Sequence, residues 1–117
     1  MNFLKRLFSS SSPVASAAMK DVITKETASN EIVIFSKTYC PYCSRAKSLF
    51  ASQFPSNQTK VLELDQMQNG SEIQSTLASM TGQRTVPSVW VKGTFIGGND
   101  DTQKLYQSGK LNEMLTK

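Results

Sequence analysis

Residues 31–36 read EIVIFS, and a proline follows at position 41. This stretch constrains the fold more than any other. Its apolar run is continuous and β-branched, without the polar alternation of a half-exposed strand. Such a run belongs to a central strand covered on both faces. Beyond it the period changes: Ala46, Leu49, Phe50 and Phe54 recur at helical spacing after Pro41, and proline is favoured at the first helical position. A buried strand therefore passes through the link KTYC straight into a helix.

The other elements are read in the same way. MKDVITKETAS (19–29) predicts a short amphipathic helix with Val22 and Ile23 turned inward. KVLELD (60–65) alternates Val61, Glu63 and Asp65 against Leu62 and Leu64, as a strand does. GSEIQSTLASM (70–80) is helical, with Ile73, Leu77 and Met80 on one face and Gly82 just past its end. PSVWV and TFIGG flank the two residues Lys92-Gly93, the signature of a β-hairpin. From about Asn99 the chain is helical again, with Gly109 breaking it into two pieces. The order α, β, α, β, α, β, β, α predicts an α/β fold. The first two strands should be parallel, joined by a right-handed crossover, and the hairpin adds an antiparallel edge. The result is a four-stranded mixed sheet with helices on both faces.

Composition narrows the function. A chain of 117 residues suits one domain, and no apolar run approaches the roughly 20 residues of a membrane-spanning helix. Most of the net charge of +4 sits in residues 1–20, which carry Lys5, Arg6 and Lys20 and no acid. The remaining near-neutral domain argues against electrostatic nucleic-acid binding. Residues 1–18 are acid-poor and serine-rich, with Phe3, Leu4, Leu7 and Phe8 on one helical face. They read as a flexible leader or a mitochondrial targeting segment, and Met19 as an alternative start of the domain 19–117. The expected location is cytoplasmic, mitochondrial or both. Histidine is absent, which excludes cysteine–histidine pairs and histidine general bases. Two cysteines alone cannot close a four-ligand zinc site within one chain.

Those two cysteines, Cys40 and Cys43, stand three residues apart where the strand gives way to the helix. The reactive form of a cysteine is its thiolate, so a reacting thiol needs something to stabilise an anion. With Pro41 at the first helical position, Cys40 is the N-cap, facing unpaired N–H groups and the positive end of the helix dipole. Lys37 can add a positive charge. Cys43 lies one turn further in on the same face, close enough for a disulfide. Cys40 is thus the expected attacker, and Cys43 the less exposed, higher-pKa resolver. Two inert buried cysteines are the alternative. A structural disulfide is disfavoured, because closing so short a loop constrains the unfolded chain very little.

Together TYCPYC, TVPSVWV and GGNDD resemble the glutaredoxins of the dithiol class, over residues 20–117. The resemblance implies a thioredoxin-like fold and a glutathione-dependent thiol–disulfide oxidoreductase. Cys40 would be its nucleophile and Cys43 its resolving thiol. It places Lys37, Tyr42, Gln74 and Arg84 along a glutathione groove. Thr85, Val86 and Pro87 would present the Val86 backbone to the tripeptide, with Pro87 cis. Gly98, Asn99, Asp100 and Asp101 would meet the γ-glutamyl end. Asp101 is the better match for its amine, since many glutaredoxins have serine where Asp100 stands. Gln74 has a second reading, as the closing residue of a capping box from Ser71. Lys37 and Arg84 have a bland one, as ordinary surface charges. The implied partners are glutathione and glutathionylated or disulfide-containing proteins, met by a monomer with no tightly bound cofactor. An iron–sulfur cluster shared in a dimer is a rival function, disfavoured by Pro41. A reductase fed by a flavoenzyme is another.

Overall fold

The structure, a computed structural model, describes residues 13–116. The elements are α1 (Pro13–Ser29), β1 (Ile32–Ser36), α2 (Pro41–Gln53), β2 (Thr59–Glu63), a 3-10 turn (Leu64–Gln66), α3 (Gly70–Thr81), β3 (Ser88–Val91), β4 (Thr94–Gly97), α4 (Asn99–Gln107) and α5 (Lys110–Thr116). The apolar face expected at Phe3, Leu4, Leu7 and Phe8 lies outside the described residues. Helix α1 spans the position expected to divide leader from domain.

The sheet order is β2-β1-β3-β4. Strand β1 pairs parallel with β2 and antiparallel with β3, and β3 pairs antiparallel with β4. Every residue of β1 is buried, and the period of two divides them between two cores. Ile32 and Ile34 join Phe50, Leu49, Val89 and Leu111 beneath α2 and α5. Val33 and Phe35 join Ile23, Ile73, Leu77 and Trp90 beneath α1 and α3. The uninterrupted apolar run is the consequence of having a core on each face.

The hairpin turn places Lys92 at φ 48° and Gly93 at φ 81°, both in the left-handed region that a tight primed turn requires. The second strand ends earlier than its alternation suggests. Leu64 and Asp65 leave the ladder for the 3-10 turn, which lets Leu64 bury itself while Asp65 swings towards the β1–α2 link. The last part of the chain divides as expected, with Gly109 at φ 82° between α4 and α5.

Candidate active site

The link between β1 and α2 is held at both ends. The Cys40 N–H donates to the Lys37 carbonyl at 3.1 Å, closing a turn. Two residues before Cys40, the Thr38 N–H donates to the Asp65 carboxylate at 2.9 Å, and the Thr38 hydroxyl donates to the other carboxylate oxygen. These two bonds hold the Asp65 carboxyl below the usual carboxylate range, the hydroxyl contributing most. The linkage sign follows. A depressed carboxyl pKa contributes stability at pH values above the unfolded value of about 4, and that contribution is lost as pH falls through the lower folded value. Asp65→Asn is therefore expected to flatten the loss of stability as pH falls below about 4. Urea melts of both proteins across that range check this; identical slopes would refute it.

Cys40 has extended backbone, φ −91° and ψ 117°, and caps α2 with Pro41 following it. Its Sγ accepts the Cys43 N–H at 3.3 Å, taking up one of the orphan donors of the first turn. The Cys40 carbonyl receives the Ser44 N–H at 3.1 Å. Cys40 is half-buried and Cys43 is wholly buried, and both are free thiols. Burial pushes the Cys43 thiol up, and the neighbouring Cys40 adds to that. The Lys37 backbone and the Ser36 hydroxyl, hydrogen-bonded to the same sulfur, work in the opposite direction. Tyr39 is 72% exposed and Tyr42 55%, so the residue before Cys40 and the one two beyond it both present aromatic rings to solvent. The Arg45 guanidinium lies 5.3 Å from the centre of the Tyr42 ring.

Opposite Cys40, its Sγ lies 3.9 Å from the Val86 carbonyl oxygen. Val86 is bonded to Pro87 by a cis peptide, and it precedes the first residue of β3 by two positions. From here a groove of about 390 Å³ runs along the surface, lined by Tyr42, Gln83, Thr85, Val86, Pro87, Gly98, Asn99, Asp100 and Asp101. Its far wall is the start of α4. There Gly98 is the N-cap, the Asp101 carboxylate accepts the Gly98 N–H at 3.4 Å, and Asp100 is exposed.

Eight of the expected groove residues are thus brought together. Lys37, Gln74 and Arg84 are not among those that line it. Gln74 does not close a capping box. Helix α3 starts at Gly70 with Asn69 as its cap, so Ser71 lies inside the helix, and the Gln74 amide donates to the Arg84 carbonyl at 3.1 Å instead. Trp90 and Phe35 are core residues, as their strand positions suggest. Gln83, Thr38 and Asp65 went unnoticed in the sequence; each acts through a contact that no local pattern announces. Among the described residues, no group of three or more His, Cys, Asp or Glu is placed to hold a metal ion.

A thiol pair at the mouth of a helix, one sulfur capping and the other buried behind it, on a four-stranded mixed sheet, defines a thiol–disulfide oxidoreductase of the thioredoxin fold. Comparison with known proteins makes this specific. The glutaredoxin family model matches residues 32–96. Glutaredoxin-C8 of Oryza sativa is 47% identical over 105 residues, 89% of this chain and 77% of that one. The mitochondrial glutaredoxin-2 of Bos taurus is 48% identical over 105 residues, 88% of this chain and 66% of that one. The crystal structure of a buckwheat glutaredoxin–glutathione complex superposes with a TM-score of 0.83 at 41% identity, covering 89% of this chain and 93% of that one. The chain belongs to the glutaredoxin family, and it is a glutathione-dependent thiol–disulfide oxidoreductase.

Proposed function

We propose that this protein removes glutathione from protein mixed disulfides through Cys40 alone, and reduces protein disulfides through Cys40 and Cys43 together. One observation carries the reading: the Cys40 sulfur takes a helix N–H and stands beside the Val86 carbonyl, at the end of the groove. A sulfur so placed can attack in line with an extended peptide lying against Val86.

In the first route the Cys40 thiolate attacks the glutathione sulfur of the mixed disulfide. The protein sulfur leaves with the bonding pair and takes up a proton, and Cys40 now carries glutathione. A second glutathione thiolate attacks the glutathione sulfur bound to Cys40. Oxidised glutathione is released and the Cys40 thiolate returns. In the second route Cys40 opens a protein disulfide and forms a mixed disulfide with one of its sulfurs. Cys43 loses its proton and attacks Cys40 Sγ, and the reduced protein departs. Two glutathiones then reduce the Cys40–Cys43 disulfide.

The tripeptide's charges assign the groove. Val86 would pair its backbone with the peptide as an added strand does, framed by Thr85 and Pro87. Tyr42 would cover the cysteinyl segment. The amino end of α4, at Gly98 and Asn99, would hold the γ-glutamyl carboxylate by its N–H groups, and Asp101 would pair the amine, with Asp100 beside it. Lys37 and Arg84 would take the glycine carboxylate, and Gln74, hydrogen-bonded to the Arg84 carbonyl, would steady that end. The buckwheat relative's crystallisation with glutathione supports glutathione as the ligand. We place the protein in the cytoplasm, the mitochondrion or both, as a monomer acting on glutathionylated and disulfide-containing proteins.

The test is reduction of a glutathionylated peptide with glutathione as the sole electron donor. Activity should require glutathione and should not appear with a flavoenzyme thioredoxin reductase in its place. In the same assay, Lys37→Ala and Arg84→Ala should each raise the KM for glutathione about tenfold, the scale of one charge-assisted hydrogen bond. Because Arg84 is exposed and Lys37 half-buried, the melting temperature should move little. An unchanged KM in both variants would sink the carboxylate assignment.

A further inference from the structure

The groove has two walls, and one side chain borders both. Gln83 leaves the end of α3 with its backbone N–H donating to the Thr81 hydroxyl oxygen at 3.1 Å, while that hydroxyl donates to the Leu77 carbonyl at 2.7 Å. The residue is thereby anchored to a helix end. Its side-chain amide nitrogen then donates to the Thr85 carbonyl at 3.0 Å and to the Pro87 carbonyl at 2.9 Å. An amide nitrogen has two N–H bonds, and both are spent here. The two carbonyls they take are those on either side of Val86. The Val86 carbonyl itself stays clear of the amide and faces Cys40.

The same amide meets the second wall. A Cβ added to Gly98 would stand 3.5 Å from Gln83 Oε1, 3.6 Å from the Pro87 carbonyl oxygen and 3.7 Å from Gln83 Nε2. The Gln83 amide and the segment that it holds therefore lie beside Gly98, with room between them for about one methyl group. One planar group thus holds Thr85–Pro87 on one side and borders Gly98 on the other. Without its two N–H donors, the Thr85 and Pro87 carbonyls lose these bonds, and the segment around Val86 is held less firmly.

We propose that Gln83 is a positioning residue which fixes the spacing of the two groove walls, and that this spacing makes the site prefer a glutathione mixed disulfide to a simpler one. The proposal rests on the reading of the groove as a glutathione site. It assigns Gln83 no contact with a reacting atom.

The experiment uses one peptide in two forms, carrying either glutathione or free cysteine in a mixed disulfide. It compares wild type with Gln83→Met, which keeps the length without the donors, and Gln83→Glu, which keeps the shape but turns acceptors towards two carbonyls. Wild type should favour the glutathionylated peptide. In both variants the KM for that peptide should rise about tenfold while kcat changes by about threefold at most, so most of the preference is lost. A variant that melts like wild type and keeps the full preference would overturn the proposal. So would an equal loss on both peptides, because a general loosening of the fold does not discriminate between them. If Gln83→Met melts early, Gln83→Asn, too short to reach both carbonyls, carries the same expectation. If wild type shows no preference, the glutathione groove itself has been misread, and that outcome is told apart by the first comparison.

Discussion

Cys40→Ser is expected to lower glutathione-dependent reduction of a glutathionylated peptide by about 10³-fold or more, because a serine hydroxyl at this cap supplies almost no anion near neutral pH. Cys43→Ser is expected to keep that activity within about threefold and to lose reduction of a protein disulfide by at least about 10²-fold. The inequality comes from geometry. Cys40 is half-buried, takes the Cys43 N–H at 3.3 Å and looks across at Val86. Cys43 has no exposed surface, so an incoming disulfide meets Cys40 first. Steady-state rates on the two substrates, for wild type and both variants, decide the matter. Full activity of Cys40→Ser on either substrate would reverse the assignment. Burial also pushes the Cys43 thiol up, so the step in which Cys43 attacks should accelerate as pH rises above neutrality. Stopped-flow release of the reduced protein between about pH 7 and pH 9 reads that step directly.

Much of this was legible before any coordinates. The run IVIFS announced two cores because no polar residue interrupts it, and both cores are there. Pro41 marked the helix start and so made Cys40 a cap. The turn at Lys92-Gly93 and the break at Gly109 were visible because each needs a backbone conformation that few residues adopt freely. What stayed hidden is contact between segments remote in sequence. Nothing in ELD says that Asp65 leaves its strand and holds Thr38, 27 residues away. Nothing in GQRTVP says that the glutamine's amide reaches two carbonyls ahead of it in the chain. The pattern Ser71-x-x-Gln74 misled for a related reason. It satisfies a local rule, but the helix had already begun one residue earlier, at Gly70.

That early start depends on glycine, which makes Gly70→Ala the change expected to cost most stability. Propensity alone points the other way: alanine in a helix is favoured over glycine by up to about 1 kcal/mol. Here a Cβ on Gly70 would stand 1.8 Å from the Leu64 carbonyl oxygen and 2.8 Å from its carbon. Both are backbone atoms, so no side chain can turn aside to make room. The 3-10 turn and the start of α3 must move apart, and the Leu64 side chain is 3% exposed in the core that α3 covers. Overpacking of this kind costs about 3 kcal/mol and outweighs the propensity gain. For a domain near this size the net loss of about 2 kcal/mol lowers Tm by roughly 8–16 °C. Gly82→Ala is the control: its φ of 79° disfavours alanine, but nothing lies within 4 Å of the added carbon, so its cost should stay near 1–2 kcal/mol, on the order of a single left-handed residue. Thermal melts of the two variants compare a steric cause with a conformational one. If Gly70→Ala melts no earlier than Gly82→Ala, the tight approach to Leu64 is not what holds α3 in place. If it melts much earlier, activity should fall as well, because Asp65, one residue beyond Leu64, is the group that holds the loop leading to Cys40.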